Sequence, residues 1–388
     1  MKASAFVYPW DVNGDPQAPA RIAGLGVRQV TLAAAYHSTR ALTPRHPRHR
    51  VVTAEYAAVL YPPGAHWADR VLRPHPAGDW APGDAWGEAA AALTGAGLEV
   101  HTWVVLAHNS RLGAEHPETS VVNAYGDRYP WAPCIAQPAT RAYLVDLAAE
   151  AAVRPGAAGT ELESLGWYGL AHLHAHDKTG GVGLGEAGQY LMALCFCPAC
   201  REGYGRHGLD ADELAAAVRA ALEPVWRRQE AEEAGWAGVE KLLGEPVAAA
   251  TRAYRDETAR TLQEEAVAAV RAAAPAGFQV LLHADPVSYR CGANAGVDPA
   301  HILSVADGVV VPCTGDPGPL TPFAAQGRPD AVLAANLTVV SGMGGSPATL
   351  AADAARARDL GATELRLYHA GLASDEDLSA VRSALAGG

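Results

Sequence analysis

The sequence predicts an α/β fold, a (β/α)8 TIM barrel with a long helical insertion between strands 4 and 5. Three observations point there. Short apolar runs bounded by turn residues alternate with longer Ala-rich helical patterns, which is the rhythm of βα units. Several runs, such as Val309-Val310-Val311 and Val332-Leu333-Ala334-Ala335, are continuously apolar, as expected of parallel strands covered on both faces. The first run ends in Tyr8-Pro9-Trp10-Asp11, where an open doubly wound sheet would carry a Gly-rich phosphate loop.

In chain order the strands are expected over Ala5 to Trp10, Arg28 to Tyr36, Leu98 to Leu106, Glu161 to Trp167, Phe278 to His283, Gly308 to Pro312, Ala331 to Asn336 and Glu364 to Tyr368. Helix starts are chemically marked at Asp298-Pro299, Ser346-Pro347 and Ser374-Asp375-Glu376-Asp377, where a capping side chain precedes Pro or an acidic first turn. Gly26, Gly97 and Gly361 end helices immediately before strands. The reading is a single barrel over residues 1–388, with an extended region at 166–276 holding two long helical patterns, about Asp210 to Leu243 and Pro246 to Ala273. Asp210 caps the first. These helices either lengthen the fourth βα unit or stand out as a hairpin; a hairpin of that size suits a subunit contact in a homo-oligomer.

Cysteines carry the sharpest local signal. Cys195, Cys197 and Cys200 fall in the run Leu194-Cys-Phe-Cys-Pro-Ala-Cys-Arg201, and C-x-C-x-x-C spacing brings three thiolates to one tetrahedral ion. Cys134 is the expected fourth ligand, making a structural zinc site. Cys291 and Cys313, each isolated beside a strand, read as packing residues. Met1-Lys2 leads directly into the short run Ala3 to Tyr8 with no long apolar core or cleavage signal, so a reducing cytoplasm is expected, where thiols bind metal more often than they pair.

Composition narrows the partners. With 49% hydrophobic and 19% charged residues in 388 positions the chain can bury a large core. A net charge of -12 with no basic block argues against nucleic acid. No apolar stretch reaches the roughly 18 residues a membrane span needs.

In a barrel of this kind the active site lies where the strands end. Residues expected there are Trp10 and Asp11 after strand 1, His37 and Arg40 after strand 2, and His108, Asn109 and Arg111 after strand 3. Strand 4 brings Glu161 and Glu163, followed by Trp167, His172, His174, His176, Asp177 and Lys178. Strand 5 ends in His283-Ala284-Asp285, strand 6 leads to Asp316, and strand 8 ends in Tyr368-His369. Aromatic faces among His, Arg, Asn and carboxylates suit a polyhydroxylated, carbohydrate-like small molecule.

The segment Tyr129-Pro-Trp-Ala-Pro-Cys134-Ile-Ala-Gln-Pro138-Ala-Thr-Arg141-Ala-Tyr143 resembles the Cys-containing stretch after strand 3 in the family 42 β-galactosidases. The Cys195-Phe-Cys197-Pro-Ala-Cys200-Arg201 run followed by Tyr204 resembles that family's triplet after strand 4. The resemblance covers about Tyr129 to Asp210 and implies a retaining glycoside hydrolase barrel with a four-cysteine zinc cluster. The chain departs from the family in two places. Where the family has an Asn-Glu pair ending strand 4, this sequence has Leu162-Glu163-Ser164, and the family's strand 7 nucleophile is replaced by Asn336-Leu-Thr-Val-Val-Ser-Gly, which lacks a carboxylate.

Glycoside hydrolysis needs an acid for the leaving oxygen and a second carboxylate as nucleophile or base. Glu163 is the expected acid, with Glu161 one layer deeper on the same strand face. Asp285 is the expected second carboxylate, ahead of Asp316 and Asp11; it precedes Pro286, so a turn role is the bland alternative. Two other readings stay open. The His172 to Lys178 loop could hold a catalytic metal in a lyase or isomerase. The missing strand 7 carboxylate fits a barrel that binds sugar without cleaving it.

Overall fold

The computed structural model describes residues 1–173, 177–228 and 235–387. Eight parallel strands close into a barrel: β1 (Lys2–Val7), β2 (Gln29–Tyr36), β3 (Glu99–Val105), β4 (Gly159–Glu163), β5 (Gln279–Asp285), β6 (Gly308–Pro312), β7 (Val332–Thr338) and β8 (Glu364–Tyr368). Each pairs with its sequence neighbours, and β1 closes the ring by pairing with both β2 and β8. That closure excludes the open doubly wound sheet.

Every expected strand forms, but two lie earlier than expected. β1 stops at Val7 because Pro9 begins a 3-10 turn over Pro9–Asp11. β4 stops at Glu163 because Ser164 turns the chain at φ 58°, the one non-glycine residue with positive φ among those described. Two backbone bonds hold this turn, from Ser164 N to Ala293 O (2.8 Å) and from Ala107 N to Ser164 O (3.1 Å). Glu163 therefore stands at the very end of its strand.

The helices that return the chain wrap the outside: α1 (Ala18–Ala23), α2 (Ala85–Gly95), α3 (Pro138–Ala152), α4 (Glu245–Ala273), α5 (Pro299–Val305), α6 (Thr321–Ala324), α7 (Leu350–Asp359) and α8 (Asp375–Ala386). The side chain of Asp298 caps α5, and Ser374 with Asp377 makes a capping box at α8. The Ser346-Pro347 signal differs: it opens a 3-10 turn over Pro347–Thr349 ahead of α7, without a side-chain cap.

Between β4 and α4 the chain adds helices at Gly185–Met192, Pro198–Arg206, Ala211–Leu222 and Gly235–Leu243. The expected pattern from Asp210 to Leu243 is thus two helices, Asp210 capping the first. α4 lies along α3, with Arg141 Nη2 donating to Thr258 O at 2.7 Å, so it belongs to the barrel wall and does not protrude as a hairpin.

Strand alternation turns every second side chain inward. One interior layer is polar and fully buried. Thr31 Oγ1 donates to Glu161 Oε1 at 3.0 Å, and Arg366 donates to the same oxygen from Nε while its Nη1 reaches Glu364 Oε2 at 2.8 Å. His283 Nε2 lies 3.4 Å from Glu161 Oε2. Burial pushes the Glu161 carboxyl up, but Arg366 and then His283 outweigh it and hold the group down at about 2. Glu161 is therefore a barrel ion pair one layer below Glu163.

Because Arg366 is wholly buried, removing Glu161 takes the charged acceptor from its Nε and leaves Glu364 as its one carboxylate partner among the described residues. Glu161→Gln should cost about 3–5 kcal/mol in urea unfolding at neutral pH. A carboxyl held below its ordinary 4.5 stabilises the fold fully above that value and loses its contribution as pH falls toward 2, so the gap between variant and wild type should shrink over that window. Equal stability at pH 7 would show that the pair does not hold the barrel.

Candidate active site

At the C-terminal mouth the strands surround a cleft of about 1060 Å³. Its chemistry begins with alternation. Trp103 on β3 and Glu163 on β4 both point inward, and the Trp103 indole N–H donates to Glu163 Oε2 at 2.6 Å. That bond fixes one carboxylate oxygen and leaves Oε1 for the cleft. Among the described residues, Glu163 is the only carboxylate lining this cleft.

Aromatic rings build one wall. Tyr36, at the end of β2, meets Trp103 edge-on at 4.6 Å between ring centres, and Tyr8 and Tyr368 lie about it at 5.9 and 6.0 Å. Burial raises the hydroxyls of Tyr8, Tyr36 and Tyr368, and the negative charge of Glu163 adds to the effect on Tyr36 and Tyr368. These phenols stay protonated and face the cleft as O–H donors.

Imidazoles continue from that wall, His37 stacking on Tyr36 at 4.3 Å. His108 stacks on Tyr168 at 4.2 Å, His37 lies 4.7 Å from His108, and His172 Nε2 sits 3.4 Å from the Tyr168 hydroxyl. Burial, followed by the neighbouring His37 and His172, depresses His108 to about 2, and burial also lowers His37. Both are neutral near pH 7 and serve as hydrogen-bonding groups. Asn336 on β7 completes the cleft, and its buried Oδ1 has no hydrogen-bond partner among the described residues.

Of the residues expected at the mouth, Glu163, His37, Arg40, His108, His172, His283 and Tyr368 line this cleft. Trp10 does not; it is buried in a stack on Tyr8. Asp11 folds back within its turn, accepts the N–H of Tyr8 at 2.8 Å, and borders a separate small cavity with Arg45. His369 is buried beside it, its Nδ1 accepting from Gly371 N at 3.2 Å, and burial lowers it to about 3. Asn109 caps the helix Ser110–Glu115, and Arg111 pairs with Glu115 at 2.8 Å across the face of Tyr56.

Trp167 is buried toward α4, its indole donating to Arg255 O at 3.0 Å. Asp285 turns away from the cleft into a 2.9 Å ion pair with Arg290 and an Asx turn to Val287 N. Of Glu163, His108, Trp167 and Asp285, all expected at the strand ends, Glu163 and His108 line the cleft and Trp167 and Asp285 do not. Asp316 caps its own exposed loop at Gly318 N, and Lys178 is exposed outside the cleft lining. His174 and His176 lie outside the described residues. Tyr8, Tyr36, Trp103 and Asn336 also line the cleft and were missing from the residues expected at the mouth. Counting alternate residues inward along each strand would have found Trp103 and Asn336.

The four cysteines converge outside the barrel mouth. Cys134 Sγ is 3.6 Å from Cys197 and 3.5 Å from Cys200, and with Cys195 all four sulfurs lie within 4.8 Å of one another, buried. A metal–sulfur tetrahedron with bonds of about 2.3 Å has edges of roughly 3.8 Å. The set could therefore hold a metal ion. It is the one group of three or more His, Cys, Asp or Glu ligands with this proximity among the described residues.

No protein-family model matches the chain, and no curated protein matches it in sequence. Solved structures do resemble it. The α-L-fucosidase isoenzyme 2 from Paenibacillus thiaminolyticus superposes with a TM-score of 0.59 at 12% identity, covering 100% of this chain and 49% of its own. The PgaB (BpsB) glycoside hydrolase domain from Bordetella bronchiseptica gives 0.56 at 16% identity, covering 99% of each chain. Gan42B, a GH42 β-galactosidase from G. stearothermophilus, gives 0.53 at 11% identity, covering 100% of this chain and 56% of its own. The chain thus spans about half the length of the fucosidase and of Gan42B, and nearly all of the PgaB domain. It has the barrel fold that these glycoside hydrolases share, a family 42 member among them.

Asp11 gives a pH signature. Burial pushes its carboxyl up to about 7, with the Tyr8 N–H and Arg45 only partly opposing. The folded state then keeps a proton that the unfolded state releases near 3.8, so wild type loses stability as pH climbs from about 4 to 7. Asp11→Asn should escape this loss and gain on wild type by up to about 4 kcal/mol across that window in urea unfolding. A gap that does not widen with pH contradicts the assignment.

Proposed function

We propose that the chain is a glycoside hydrolase that acts on a carbohydrate-like ligand in the cleft at the C-terminal mouth, with Glu163 as its acid. One observation carries the reading: the sole described carboxylate of an aromatic- and imidazole-lined cleft stands at the end of β4, oriented by Trp103. A sugar needs apolar faces for its C–H groups and donors and acceptors for its hydroxyls; the tyrosines, neutral histidines and Asn336 supply both. Glu163 gives its proton to the leaving oxygen as the glycosidic bond breaks. His37, Arg40, His108, His172 and Tyr368 are assigned to ligand binding. Asp285, tied to Arg290, has no part in this scheme.

A second reading is favoured by the same lone carboxylate: a barrel that holds sugar without cleaving it. Glu163→Gln separates them. On a panel of aryl glycosides and oligosaccharides the variant should lose about 10²–10⁴-fold in kcat and keep its fold by circular dichroism. Turnover unaffected by the change removes Glu163 from the chemistry, and ligand binding without wild-type turnover supports the non-cleaving barrel.

The four cysteines are assigned to a structural zinc ion that clips the strand Arg128–Pro133 after β3 to the helix Pro198–Arg206. Four sulfur ligands leave no open position, so the ion would hold structure and take no part in turnover. Purified protein should carry about one zinc per chain. Cys197→Ser should lower that content and the thermal midpoint together, with the loss reproduced by a chelator in the wild type. Metal-free protein of unchanged stability would refute the site.

A further inference from the structure

Among the described residues the cleft has one carboxylate, where hydrolysis of a glycoside ordinarily uses two. Retaining sites hold the pair about 5–5.5 Å apart and inverting sites about 6.5–9.5 Å apart. Among the described residues, no second carboxylate lines the cleft beside Glu163, and Glu161, two residues earlier on the same strand, is fully buried against Arg366. Asp11 and Asp285 are committed elsewhere. Burial keeps the hydroxyls of Tyr8, Tyr36 and Tyr368 protonated, which suits them to donate hydrogen bonds. The described lining thus offers no second carboxylate as nucleophile for the reacting carbon, and a nucleophile carried by the substrate fills that place.

Resting on the hydrolase reading above, we propose that the substrate is a 2-acetamido-2-deoxy glycoside whose own amide oxygen serves as the nucleophile. The carbonyl oxygen attacks C1 from the face opposite the leaving group. As the C1–oxygen bond breaks, its electron pair stays on the leaving oxygen, which takes the Glu163 proton, and a cyclic oxazolinium ion forms. Water then adds to C1 and passes a proton to the Glu163 carboxylate while the ring C1–oxygen bond opens, which restores the acetamide. No further reactant is required. The amide oxygen must lie trans to the leaving group, so the substrate is a 1,2-trans glycoside and the product retains configuration.

Two features of the cleft suit this group. Asn336 Oδ1 is buried without a partner on the cleft wall and can accept the amide N–H, which pushes electron density toward the carbonyl oxygen. Tyr36 and Tyr368, beside Trp103 on the cleft lining and kept protonated by burial, offer O–H donors that hold the carbonyl oxygen over C1.

The test uses the wild-type protein with p-nitrophenyl β-glycosides of N-acetylglucosamine and N-acetylgalactosamine, their N-trifluoroacetyl and 2-hydroxy counterparts, and β-linked N-acetylhexosamine oligosaccharides. The acetamido substrates should turn over with retention by NMR. The trifluoroacetyl group, a poorer nucleophile, should slow kcat at least tenfold, and a thiazoline analogue of the cyclic ion should inhibit competitively. Cleavage of 2-hydroxy glycosides at an equal rate, with no thiazoline inhibition, overturns this proposal and leaves the hydrolase reading intact. No cleavage of any member of the wider glycoside panel overturns both.

Discussion

The buried pair of Glu161 and Arg366 sets the terms for the rest of the molecule. Neither charge can be left alone in a closed barrel, and each is placed inside by strict alternation along its strand. Once Glu161 is committed to Arg366, the next inward residue on β4 is Glu163, at the mouth. The same alternation brings Trp103 within reach of Glu163 and Asn336 onto the facing wall. Two glutamates two residues apart thus take opposite roles because one has a buried cation and the other has an indole and a cleft.

Electrostatics at the mouth follow from burial. Desolvation strips His108 and His37 of charge and keeps the tyrosine hydroxyls protonated, so the described cleft wall is mostly neutral donors and acceptors about one carboxylate. Such a surface recognises hydroxyls and amides better than it recognises ions. Arg40 is the one cationic side chain on the lining among the described residues, and it stands exposed at the rim. The four cysteines lie outside the cleft and bring the segment after β3 against the added helices after β4.

Much of the barrel was legible because parallel strands leave continuous apolar runs and their loops are punctuated by Gly, Pro and capping residues. The ends of β1 and β4 were not, since Tyr8 to Trp10 and Leu165 to Trp167 prolong the apolar runs, while Pro9 and the left-handed Ser164 bend the chain out of the sheet. Glu163 was readable from its position at a strand end. Asp285 was misleading for a physical reason: its partner Arg290, five residues on, folds back onto it only through a loop geometry that spacing does not encode. Trp167 is drawn to α4 by Arg255, 88 positions away. The cysteine cluster was legible because three of its ligands are local; the fourth needed the resemblance or the fold.

The most direct measurement is a crystal structure of the Glu163→Gln variant with a bound oligosaccharide. The account places a glycosidic oxygen within about 3 Å of the side chain at position 163, with the sugar ring between the tyrosine wall and Asn336. A sugar bound elsewhere on the barrel, or one whose glycosidic oxygens all lie beyond reach of that side chain, would contradict it.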